Sequence, residues 1–101
     1  MKMTIMTKKY KYTIEMSARY RKELRKMLRR GKSEDDILEV IDMLASDIPL
    51  PEHNKDHPLF GRWEGMRECH LRHDFLLTYR YEGTDQLIFE GLGSHSELLG
   101  L

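Results

Sequence analysis

The stretch RECHLRHDF, residues 67–75, places Cys69, His70, His73 and Asp74 within six consecutive positions. All four side chains can bind a metal or move a proton, so three readings stand open: a metal site, a metal-free acid/base site, or a charged hairpin. His57, in a proline-bearing segment, and His95, near the last residues, enlarge the set. A catalytic zinc site needs three protein ligands and an open position. The chain has no H-E-x-x-H and no paired C-x-x-C, so its spacing assigns no metal ligands and no cofactor. Acid/base catalysis needs less: a base near neutrality, an acid for the leaving group, and cations where negative charge develops. His95 stands out, because Ser94 and Glu97 have capping-box spacing and place it in the first turn of a helix. There the positive end of the dipole and the free N–H groups favour a phosphate. Arg67, Arg72 and Arg80 are the nearby sources of positive charge.

Each residue also has a structural explanation. His53 reads as an exposed loop residue and His73 as a solvated hairpin tip. Cys69 reads as core, facing away from His70 by strand alternation. Asp74 suits a turn, and Trp63, Phe75, Tyr79 and Tyr81 suit packing. What favours chemistry is the joint placement of the histidines, and that depends on the elements that carry them.

YKYTIEM, residues 10–16, alternates apolar and polar side chains as a half-buried strand does. Ser17 is an N-cap for a helix whose apolar stripe is Tyr20, Leu24, Met27 and Leu28, and Gly31 is its stop. Ser33 opens a second helix with Glu34, Asp35 and Asp36 in its first turn and Ile37, Val40, Ile41, Leu44 and Ala45 as its stripe, ended by Pro49. Residues 48–61 hold all three prolines and read as a loop. Three strands, 62–71, 75–81 and 86–92, then form an antiparallel meander, followed by a short helix capped by Ser94. In such a meander the end of the first strand, the start of the second and the end of the third share one edge. His70, Asp74 and His95 therefore converge there, with the loop bringing His57 over them.

The expected fold is α+β: an N-terminal strand and a helical hairpin packed on an antiparallel sheet of about four strands, with a short terminal helix. A chain of 101 residues is the size of one domain, taken as residues 1–101. One cysteine excludes an internal disulfide and fits a reducing compartment. The start MKMTIMTKKYKY alternates instead of forming an apolar run, so no secretion signal or membrane span is read and the expected location is cytoplasmic. The net charge of zero conceals a basic block: residues 1–32 carry twelve Lys and Arg against two Glu, while the remainder carries five against fifteen acids. Such a block is a solvated helix face, a surface for a phosphate backbone, or one for an acidic partner segment.

KDHPLFGRWEGMRECHLRHDFLLTYRY, followed by GLGSHSELLG, resembles the YafQ branch of the RelE/ParE toxin superfamily, the toxins of bacterial type II toxin–antitoxin pairs. The resemblance runs from about Tyr10 onward. It implies a ribosome-dependent endoribonuclease that cuts messenger RNA without a metal, by attack of a ribose 2′-OH on the adjacent phosphate. By position it puts the catalytic residues at His57, His70, Asp74 and His95; His95 is the expected acid, and His57 or His70 the base. Arg67, Phe75 and Arg80 are the expected substrate-binding residues. Phe75 stands where the family commonly has Trp, and Leu99 where some members have an aromatic. The implied partners are a cognate antitoxin, the ribosome and mRNA, with the free chain a monomer and the antitoxin-bound form a larger complex. Two alternatives share the fold or the charge: a ParE-like toxin acting on a topoisomerase, which would not need the histidine edge, and a non-catalytic binding module using the basic helix alone.

Overall fold

The computed structural model describes residues 10–100. The alternating start of the chain and the first three cations of the basic block, Lys2, Lys8 and Lys9, lie outside them. β1 is Thr13–Met16, shorter than the strand expected over 10–16. The amides of Lys11 and Tyr12 both donate to the Ala45 carbonyl, at 2.9 and 3.1 Å, so this stretch closes the end of a helix instead of extending the sheet. α1, Ala18–Arg29, starts where the Ser17 hydroxyl accepts from the Tyr20 amide. α2, Glu34–Ala45, starts the same way at Ser33. Between them Gly31 turns the chain at φ +85°, a conformation that glycine adopts without steric cost.

Residues 48–61 are more ordered than a plain loop. A 3₁₀ turn at Glu52–Asn54 leads into β2, His57–Pro58, and a second turn follows at Gly61–Trp63. β3, Arg67–Arg72, β4, Phe75–Glu82, and β5, Gln86–Gly93, form the meander, and α3, His95–Leu99, follows. The sheet order is β1-β5-β4-β3-β2. β1 lies parallel to β5 and all other pairs are antiparallel. The sheet is therefore five-stranded and mixed, where about four antiparallel strands were expected. The added strand, β2, is two residues long and includes a proline at the sheet edge, which leaves no periodicity to read.

Alternation along β4 divides the interior. Leu77 and Tyr79 join Tyr20, Met27, Ile37, Leu44 and Phe89 in the main core beneath the helices. Each such buried side chain contributes on the order of 1.5–3 kcal/mol. Leu76, on the other face, joins Leu59, Leu98 and Leu99 in a smaller cluster flanked by Trp63 and Met66. α3 lies directly on the β5 backbone: a Cβ at Gly91 would stand 2.9 Å from Leu98 Cδ2 and from Thr78 Oγ1. α1 also holds α3, through Arg19 donating to the Glu97 and Leu98 carbonyls and through Lys26 and Arg30 pairing with Glu97. Among the described residues no helix is long and apolar enough to cross a membrane.

Candidate active site

The register of the meander sets the site. Leu76 on β4 is opposite His70 on β3 and opposite Gly93 on β5, so His70 and the turn into α3 flank the same level of the sheet. His57 on β2 is opposite Glu68 on β3. Glu68 and His70 are two residues apart and so share a face, while Cys69 faces the core. β3 then bulges between His70 and Arg72 as it approaches the hairpin.

Glu68 is the centre of the arrangement. Its side chain is 3% exposed, and its Oε2 lies 3.0 Å from His57 Nε2, 3.6 Å from His70 Nε2 and 3.5 Å from His95 Nε2. Its Oε1 is buried without a hydrogen-bond partner. A buried carboxylate is costly unless it is paired or hydrogen-bonded, and these three imidazoles are the partners that Glu68 Oε2 has here. Asp74 approaches His95 from the other side. It occupies the left-handed position of the hairpin, φ +51°, and its Oδ1 accepts from both the amide and Nδ1 of His95, at 3.0 Å each. The Asp74 bond fixes a proton on His95 Nδ1 and leaves Nε2 directed at Glu68 and the solvent-facing rim. His57 Nδ1 likewise donates to its neighbour's carbonyl, Pro58 O, at 3.0 Å.

These environments separate the groups electrostatically. Burial pushes His70 below the ordinary histidine value; Glu68 pulls upward, while His95, Lys55 and His57 add to the lowering. The backbone and side-chain hydrogen bonds from His95 hold Asp74 below the usual carboxylate range. The His70 and His95 rings stand 5.5 Å apart, edge to face. A neutral imidazole is thus set beside one anchored between two carboxylates, which is the pairing that proton abstraction and proton donation require.

The structure brings His57, His70, Asp74 and His95 together and leaves the other sequence candidates elsewhere. Arg67 projects to the opposite face of β3 from Glu68, where its Nε donates to Asp56 and Tyr79. Phe75 is 2% exposed within the main core, with Lys32 over its ring, so it offers no face on which a base could stack. Arg80 pairs with Glu90 and Glu82, four residues or roughly 13 Å along β4 from Leu76. Cys69 is fully buried, and burial pushes its thiol far up. Sequence reading missed Glu68. Its one signal was the E-x-H spacing on a strand, which puts both side chains on one face; the adjacent Cys69 and His73 are chemically more conspicuous and mask it. Among the described residues, His57, Glu68 and His70 are also the one set whose possible ligand atoms all lie within 4.8 Å of one another.

A family model described as a bacterial toxin of type II toxin–antitoxin systems, YafQ, matches residues 12–100. The mRNA interferase toxin YafQ of Escherichia coli K12 is 37% identical over 89 residues, an alignment covering 86% of this chain and 95% of that protein. The fold superposes on a chain of the E. coli DinJ–YafQ toxin–antitoxin complex with a TM-score of 0.81 at 34% identity, covering 89% of this chain and 99% of that one. It superposes on a metal-bound toxin from Helicobacter pylori with a TM-score of 0.82 at 39% identity, covering 87% and 99%.

Proposed function

The chain belongs to the YafQ family of bacterial toxins of type II toxin–antitoxin systems, and on that premise we propose that it is an endoribonuclease that cuts messenger RNA on the ribosome by acid/base catalysis at the histidine edge. His70, kept neutral by burial, takes the proton of a ribose 2′-OH. The 2′-oxygen attacks the adjacent phosphorus, the bond to the 5′-oxygen breaks, and His95 gives that oxygen its proton. The products are a 2′,3′-cyclic phosphate and a 5′-hydroxyl. Asp74 holds His95 in the donating orientation, while His57 and Glu68 set the charge around the reacting phosphate. The observation carrying this reading is the three imidazoles gathered on one buried carboxylate. An antitoxin is the expected restraining partner; the E. coli relative was solved in a DinJ–YafQ toxin–antitoxin complex. In a ribosome-programmed cleavage assay, His95→Gln is expected to lower the rate by roughly two orders of magnitude or more with folding retained. A folded His95→Gln protein that still arrests growth as the wild type does would overturn the reading.

The same cluster supports a second reading. Two imidazoles and a carboxylate with one orphaned oxygen suit zinc or copper, and the H. pylori relative was solved metal-bound. His57, Glu68 and His70 would hold the ion, which would supply Lewis acidity at the phosphate. It would also occupy the nitrogen that proton abstraction needs. Under the acid/base reading, added zinc therefore inhibits cleavage; an enzyme that cuts only when loaded with zinc would favour the second.

A further inference from the structure

Beside the histidine edge, with His70 in its wall, lies a cleft of about 320 Å³ lined by His53, Lys55, His70, Leu71, Arg72 and His73. This volume is at the lower end for small-ligand sites. No carboxylate lines it. Asp36 pairs with Arg72 at the edge of the cleft and Glu39 adds to the negative field on that guanidinium, while Asp74 is engaged on His95 and Glu68 lies among the histidines. Arg72 gives Nε and one terminal nitrogen to Asp36, at 2.7 and 3.2 Å, and retains its other terminal nitrogen. Lys55 has no acidic partner among the described residues, yet it lies close enough to His70 to oppose its protonation.

The cleft is also built. Asn54, 6% exposed, donates from Nδ2 to the His70 carbonyl at 2.7 Å and so ties the 52–56 segment to β3. The next residue, Lys55, is held at φ +48°, in the left-handed region that a residue with a side chain seldom adopts. Strain of this kind persists where surrounding structure over-determines it. The unpaired ammonium of Lys55, the remaining terminal nitrogen of Arg72 and three imidazoles thus converge on a concave wall with no carboxylate among its lining residues, a donor-rich surface suited to an anionic oxygen.

We propose that this cleft binds a phosphodiester of the substrate RNA next to the one being cut, with Lys55 and Arg72 as its charged contacts and His53 and His73 as hydrogen-bond donors. The proposal rests on the nuclease reading above and deepens it. Because His70 belongs both to the cleft and to the reacting cluster, a phosphate seated here fixes how far the strand reaches past the base. Lys55 and His73 act by holding RNA, so their loss raises the concentration of message needed and leaves the rate at saturation nearly unchanged.

The test uses a 2′-O-methyl tetranucleotide, which cannot be cut, titrated into isotopically labelled full-length protein. Amide shifts are expected at residues 53–55 and 70–73. K55Q with H73Q should weaken binding about tenfold and lower the slope of affinity against salt by about 0.7 for each phosphate no longer neutralised. Replacing one linkage of the oligonucleotide by an uncharged methylphosphonate should weaken wild-type binding similarly and leave the double variant unaffected. Shifts confined to His57, Glu68 and His95, or equal affinity for wild type and variant, would overturn the proposal. Shifts in the cleft caused by a glutamate-rich peptide and not by RNA would overturn it in favour of an acidic protein partner. Cleavage of ribosome-bound message is measured separately: a wild type that binds RNA through the cleft without cutting it leaves the phosphate site standing and removes the nuclease reading.

Discussion

Glu68 and Asp74 hold the same histidine from opposite sides, in opposite environments. Glu68 is 3% exposed and faces three imidazoles, whereas Asp74 is 51% exposed and receives two hydrogen bonds from His95 alone. A carboxylate withdrawn from water needs counter-charge wherever it can be found, so Glu68 acts on the whole cluster. A solvated carboxylate at a hairpin tip keeps its charge at little cost and can serve one ring, fixing its tautomer and aim. The buried group is shared by three rings; the exposed one fixes the tautomer and aim of a single ring.

The largest expected effect follows from this difference. Glu68→Gln removes the counter-charge common to all three histidines and is expected to reduce single-turnover cleavage by about 10³-fold, while Asp74→Asn, which disturbs His95 alone, costs about 10²-fold. Thermal unfolding should show the Glu68→Gln protein at least as stable as wild type, since a desolvated charge is gone. Equal losses at the two positions, or a larger one at Asp74, would break the comparison.

Most of the scaffold could be read from the sequence, because each element there is marked by side chains acting locally. Ser17, Ser33 and Ser94 cap the helices they were expected to cap, and the stripe from Ile37 to Ala45 is buried as its period requires. The convergence of His70, Asp74 and His95 followed from the connectivity of the meander, with His57 expected to reach them from a loop and found on β2. What stayed hidden depends on pairing between distant segments. The two-residue β2 has no period, the parallel partner of β1 is some seventy positions away, and Glu68 gains its role only when β2, β3 and α3 close around it. Phe75, which suits packing by residue type and was expected at the substrate only from the resemblance, lies in the main core, because the face of β4 that meets the helices is decided by packing and not by the motif.

A substitution far from the chemistry sharpens the contrast between setting charge and setting aim. Gly91→Ala forces Leu98 away from β5 and should destabilise the fold by about 1–3 kcal/mol, lowering the melting temperature by roughly 5–20 °C. Because α3 carries His95, cleavage at a temperature where the variant is fully folded should also fall, by about tenfold. Full activity in the folded variant would show that the position of α3 is unimportant.

The pH profile tests the buried side. A base acts in its deprotonated form, and His70 is shifted below the ordinary value of about 6.5. Activity should therefore persist as pH falls through that value, and the acid limb of kcat/KM should lie below it. Glu97, held down to about 2, first by the Ser94 amide, gives stability that is present above the ordinary carboxylate value and lost as pH falls toward 2. Glu97→Gln should flatten that acid-side loss, as followed by circular dichroism.

The smallest expected effect belongs to α1. Lys26 and Arg30 are engaged by Glu97 and Arg19 by Glu23, while Lys22, Arg25 and Arg29, like Arg21, have no acidic partner among the described residues. Reversing those three to Glu should slow association with the antitoxin severalfold at low ionic strength and much less at high. Stopped-flow mixing at two salt concentrations reads this directly. An unchanged on-rate would place the antitoxin elsewhere.

The central claim is that imidazoles move the protons while the RNA supplies its own nucleophile, and the ends of the cut message report on it most directly. Message cleaved by wild-type protein on ribosomes should carry a 2′,3′-cyclic phosphate on the upstream fragment and a 5′-hydroxyl on the downstream one, and a 2′-deoxy substitution at the cut should stop the reaction. A 3′-hydroxyl paired with a 5′-phosphate, formed equally well on the deoxy substrate, would mean that water is the nucleophile and would contradict the account.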